Sequence, residues 1–113
     1  ARARTGLAIV ARRNHDPELG LEHALAALDI ADDVPGEAAE AAREAGMCCA
    51  ALGREDDALS YWKRALELYR EVGDNAEAAK TARLIGEVLE DRGDLAGAAD
   101  VYREGLGNLE QVR

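Results

Sequence analysis

Residues 40–74 read EAAREAGMCCAALGREDDALSYWKRALELYREVGD. Within this stretch Ala58, Trp62, Ala65 and Tyr69 recur at steps of four, three and four, which puts all four on one face of a helix. The turn LGRED, residues 52–56, breaks the run with Gly53, a residue that readily takes the left-handed conformation closing a helix. The stretch therefore predicts a helix near 37–52, a tight turn, and a second helix near 55–72. Two features compete for a different reading: the adjacent Cys48 and Cys49, and Trp62, the one tryptophan of the chain. They are either parts of a reactive site or parts of something that repeats.

A shift of 40 residues answers this. Ala42 falls on Ala82, Arg43 on Arg83, Gly46 on Gly86, Cys49 on Leu89, Gly53 on Gly93, Ala58 on Ala98, Trp62 on Tyr102 and Leu66 on Leu106. Small meets small and large apolar meets large, apart from Ala45 against Ile85. Backwards, Gly6 and Ile9 lie 40 residues before Gly46 and Cys49, whereas Gly20, Ala24, Ala27 and Leu28 lie 38 before Ala58, Trp62, Ala65 and Leu66. The first copy is thus read as having a connection two residues longer. Three units, about 1–34, 35–73 and 74–113, account for almost the whole chain.

The punctuation agrees. Asp16 before Pro17, Asp74 with Glu77 three residues on, and Asp94 after Gly93 are helix starts. DVPGE at 33–37 separates the first unit from the second, and Asn14 is expected to play the role of Gly53 and Gly93. No strand-like alternation occurs, so six antiparallel helices are expected. Cys49 shares its slot with Ile9 and Leu89, which makes it a core residue; Cys48, one step round, is expected to be partly exposed. Trp62 shares its slot with Ala24 and Tyr102 and is expected to pack between helices, with Gly46 and Gly86 allowing close approach.

Bulk properties exclude several classes. A chain of 113 residues is one modest domain. Its net charge of −9 argues against a sequence-independent grip on nucleic acid. No apolar run approaches the ~20 residues needed to cross a membrane, and no secretory signal pattern opens the chain. The opening ARARTG lacks an initiator Met, so the chain is read as a segment of a longer protein, and its arginine- and alanine-rich bias suits a bacterial source. Vicinal cysteines in a helix cannot pair, which favours a reducing, cytoplasmic setting. His15 and His23 match no metal-ligand spacing, and no cofactor motif is present. No nucleophile–base constellation or matched pair of carboxylates can be drawn, so no enzyme is expected.

The segments AREAGMCCAALGREDDALSYWKRAL and ARLIGEVLEDRGDLAGAADVYREGL resemble tetratricopeptide repeats in their joint spacing of small, small and large positions. Ala42 and Ala82 stand where that family often has Trp, and the unit of 40 residues exceeds its usual ~34. The resemblance implies an all-α fold, an α-α superhelix (a right-handed solenoid) of three antiparallel helix pairs. It also implies that the first helix of each pair lines a concave groove gripping a peptide or helix of a partner protein. On that footing Leu7, Val10, Met47 and Ala50 are expected to form an apolar floor, with Glu87 making the far end acidic. The repeated Arg43 and Arg83, with Lys80 one turn before Arg83, form a cationic patch suited to an acidic segment or a C-terminal carboxylate. Against this, Arg43 has Glu40 and Arg83 has Glu87 at helical pairing distance, an ordinary surface arrangement. The closing LGNLEQVR, residues 106–113, offers no polar cap, so self-association through that end is the alternative, as is a regulatory segment of a larger bacterial signalling or transcription-control protein.

Overall fold

A computed structural model describes the backbone of residues 2–31 and 33–110, and the side chains of 3–31 and 33–105. Among the described residues six helices follow one another: α1 (Arg2–Arg13), α2 (Pro17–Ile30), α3 (Pro35–Ala51), α4 (Glu55–Val72), α5 (Asn75–Asp91) and α6 (Leu95–Glu110). Among the described residues there is no strand. Each helix packs on its neighbours in sequence, and α1 also reaches α3. The molecule measures 37 × 31 × 19 Å. Its thinnest dimension is two helix diameters of ~10 Å each, so α1, α3 and α5 make one layer and α2, α4 and α6 the other. The result is an all-α helical-repeat superhelix.

Among the described residues, side chains cap three of the helices. Asp16 accepts from the Leu19 N–H at 3.2 Å, Asp74 from the Glu77 N–H at 3.3 Å, and Asp94 from the Gly97 N–H at 2.9 Å. Each such cap contributes ~1 kcal/mol. Helix α3 begins at Pro35, slightly ahead of the expected start, because a proline at the first helical position has no N–H to leave unsatisfied.

The turns inside the pairs correct two expectations. Residues 14–16, 52–54 and 92–94 make connections of equal length. In each, the central residue is left-handed: His15 (φ 64°), Gly53 (φ 77°) and Gly93 (φ 82°). The next amide, of Asp16, Arg54 or Asp94, donates back to the carbonyl of Ala11, Cys49 or Leu89 at 2.8–2.9 Å. The left-handed residue of the first turn is therefore His15, not Asn14, at a steric cost of ~1 kcal/mol that glycine avoids. Nor is this connection longer: α1 matches α3 at a spacing of 38, like the second helices, since Ala11 stands to Cys49 as His15 stands to Gly53. The shortening relative to later units arises in α2, which has 14 residues against 18 in α4.

Glycine governs how closely the pairs approach. A Cβ on Gly46 would sit 2.4 Å from the Trp62 indole, and one on Gly86 2.4 Å from the Tyr102 ring. In the first pair Ala8 and Ala24 are packed small against small, together with Ala45 of α3. Trp62 is 3 % exposed, and its Nε1–H donates to the Arg43 carbonyl at 3.1 Å. Cys49 belongs to the core, as expected. Cys48 is also fully buried rather than partly exposed, because α2 covers that side of α3: a Cβ on Gly20 would meet the Cys48 Sγ at 2.9 Å. Burial, reinforced by Glu44, pushes the Cys48 thiol up to about 12, so it stays neutral at physiological pH. The expected association through residues 106–113 falls on side chains outside the described residues.

Candidate functional site

The three first helices enclose an open cleft of about 340 Å³. Helix α1 lends Ile9, Arg12 and Arg13; α3 lends Arg43, Glu44 and Met47; α5 lends Glu77, Lys80 and Leu84. One apolar side chain from each helix is thus ringed by four cations and two carboxylates.

The carboxylates are committed to bonds between neighbouring pairs. Arg12 Nε donates to Glu44 Oε2 at 2.5 Å and Nη2 to Oε1 at 3.2 Å, a two-point bond from α1 to α3. The Glu44 side chain is 7 % exposed, and Cys48 Sγ approaches its Oε2 at 3.5 Å. Arg43 donates to Glu77 of α5, not to the nearer-in-sequence Glu40, and its guanidinium lies 5.4 Å from the centroid of the Tyr69 ring. Lys80 Nζ donates to the other Glu77 oxygen at 3.2 Å. The Arg43 bond holds the Glu77 carboxyl below its ordinary range, with Lys80 adding to it. Burial pushes the Tyr69 phenol up to about 12, so the ring beneath Arg43 is neutral.

Two of the four cleft cations are the less engaged. Arg13 makes no hydrogen bond or ion pair among the described residues, and Lys80 has one contact on a largely exposed side chain. The cleft is net cationic in a chain of net charge −9. Two furrows on the opposite layer have mixed lining instead: Asp29 and Arg64 with Leu25, Leu28 and Tyr61 in one, Lys63, Glu67 and Glu104 with Leu66 and Val101 in the other. No group of His, Cys, Asp and Glu among the described residues is arranged to hold a metal ion. No helix is long and apolar enough to cross a membrane among the described residues.

Of the residues singled out in the sequence, Arg43, Met47 and Lys80 line the cleft. Leu7, Val10, Ala50, Arg83 and Glu87 do not. Arg83 bonds to Glu87 at 3.1 Å with both side chains exposed, the ordinary surface pair. Ile9 stands where Leu7 was expected, because two residues of register turn a helix by about 200°. Arg12 and Arg13 escaped notice for the same reason. The signal that finds them is His15: set against Gly53 as the turn residue, it places Ile9 opposite Met47.

The tetratricopeptide repeat family model matches residues 37–111, and the chain belongs to that family. The crystal structure of the tetratricopeptide-repeat domain of Arabidopsis FLU superposes with a TM-score of 0.82, covering 96 % of this chain and 93 % of that one at 22 % identity. At that identity the likeness is one of fold, and it includes the first helix pair, which the family model leaves out. No curated protein sequence matches the chain. The fold is generally a protein–protein interaction module, and domains of this kind generally bind protein partners without catalysing reactions.

Proposed function

We propose that the cleft across α1, α3 and α5 binds an acidic peptide or helix of a partner protein, in a reducing compartment such as the cytoplasm. The observation that carries this is the charge inversion: an acidic chain gathers Arg12, Arg13, Arg43 and Lys80 around Ile9, Met47 and Leu84. Apolar partner side chains would seat on those three residues. A partner carboxylate, internal or C-terminal, would meet Arg13 and Lys80 first, since Arg12 and Arg43 are bonded to Glu44 and Glu77. Forked guanidinium recognition of carboxylate gives orientation as well as attraction.

The test is fluorescence anisotropy with labelled peptides that combine leucine and glutamate, ending in a free or amidated carboxylate. Arg13→Glu with Lys80→Glu should weaken binding at least about tenfold, and raised salt should do the same. Met47→Lys should abolish apolar seating. Binding indifferent to both variants and to salt would overturn the proposal.

A further inference from the structure

The two carboxylates of the cleft are held in different ways. Glu44 is part of the frame: its side chain is 7 % exposed and takes two nitrogens of Arg12. Drawing Arg12 away would strand a buried charge, which is strongly unfavourable. Glu77 stands at the cleft wall with its side chain 26 % exposed. It divides its oxygens between two cations, Oε2 to Arg43 of α3 and Oε1 to Lys80 of its own helix. If Arg43 is withdrawn, Glu77 keeps Lys80 and gains water. Ion pairs with such access are readily exchanged, because water competes for both partners.

Arg43 keeps its place without Glu77. Its guanidinium lies 5.4 Å from the centroid of the Tyr69 ring, and its carbonyl accepts from the Trp62 indole. Tyr69 and Trp62 both belong to α4 and both are buried, so one helix steadies the two ends of the residue. Among the described residues the guanidinium donates through Nη1 alone. A guanidinium resting on an aromatic ring still presents its fork of donors at the edge, and one carboxylate oxygen does not fill that fork. Lys80 can serve two carboxylates at once, since an ammonium has three donors. Glu77 therefore does inside the chain what a carboxylate of a partner would do: it bridges Arg43 and Lys80 in the cleft.

We infer that Glu77 is an internal competitor in the cleft, displaced from Arg43 when an acidic peptide binds, and that Arg43 is the final seat of the partner's carboxylate. The inference rests on the cleft reading and adds what restrains it. A ligand must out-compete Glu77 with a two-point bond and with apolar anchorage on Ile9, Met47 and Leu84.

The test uses the same leucine–glutamate peptides, read by anisotropy on the whole chain. Glu77→Gln and Glu77→Ala should each tighten binding at least about fivefold. Both should fold, because the Asp74 cap and the Thr81 hydroxyl bond to the backbone of Glu77 and need no side chain there. Glu87→Gln removes the same charge from α5 outside the cleft and should change affinity less than about twofold. Arg43→Gln should cost at least about tenfold in the Glu77→Gln background and much less in the parent, so the two changes are coupled. No tightening in either Glu77 variant, a tightening that persists in the Arg43→Gln background, or an equal gain from Glu87→Gln would each overturn the inference and leave the cleft reading standing. Failure of every version to bind any of the peptides would remove the cleft reading and this inference with it.

Discussion

Replacing Gly46 by alanine sets two effects against each other. In an open helix the change stabilises by up to ~1 kcal/mol. Here the new Cβ would lie 2.4 Å from Trp62 Nε1, 2.5 Å from Cδ1 and 3.0 Å from Cε2. The indole cannot swing aside: it is 3 % exposed, and Nε1 is bonded to the Arg43 carbonyl. Either the helices part or the indole tilts and loses that bond. Overpacking costs ~1–3 kcal/mol and an unsatisfied buried donor ~1–3 more, so a net loss of about 3 kcal/mol is expected. Urea unfolding followed by far-UV circular dichroism measures it, since the tryptophan is itself perturbed. Gly6→Ala serves as the control, because nothing lies within 4 Å of its added Cβ, and it should gain ~0.5–1 kcal/mol. In a Trp62→Leu background the Gly46→Ala penalty should shrink by more than ~1 kcal/mol, as expected of residues in contact. A Gly46→Ala chain as stable as the parent, or a penalty unchanged without the indole, would refute the close-approach reasoning.

Both thiols should resist Ellman's reagent in the folded chain at pH 8 and react only as it unfolds, because Cys48 and Cys49 are buried and burial raises both pKa values; rapid labelling of either would contradict their place in the core. Cys48 and Tyr69 titrate near 12 in the fold, above their ordinary 9.0 and 10.0, so the folded chain keeps protons that the unfolded chain releases. Stability fully present below about pH 9 should therefore fall as pH rises toward 12, and Cys48→Ala with Tyr69→Phe should flatten that limb of the melting curve. Glu77 acts in the opposite sense: held below its ordinary 4.5, it contributes stability above that pH which is lost as pH falls through the lowered value, and Glu77→Gln should remove this acid dependence. Arg12→Met leaves Glu44 buried without its partner and should cost on the order of 3 kcal/mol by urea titration, most of it recovered when Glu44→Leu is added.

Much of the fold was legible in residues 40–74 and their echoes because helix formation and helix ends are local. Ala58, Trp62, Ala65 and Tyr69 mark one face by spacing alone, and Asp74 and Asp94 cap helices through bonds spanning three residues. The glycines at 53 and 93 relax a constraint imposed by their own φ. The burial of Cys49 and Trp62 followed from comparing copies, since equivalent slots bury equivalent faces.

What tertiary structure decided is everything set between pairs. His15 could be read as a left-handed residue only once the turn was seen to close like those at Gly53 and Gly93. That one assignment moved Leu7 out of the cleft and Ile9 into it. Cys48 is buried because α2 lies over it. Arg43 bonds to Glu77, 34 residues away, in preference to Glu40 on its own helix. Helical spacing describes which residues share a face; which face meets a neighbour, and which cation is left unneutralised, is settled by how the helices stack.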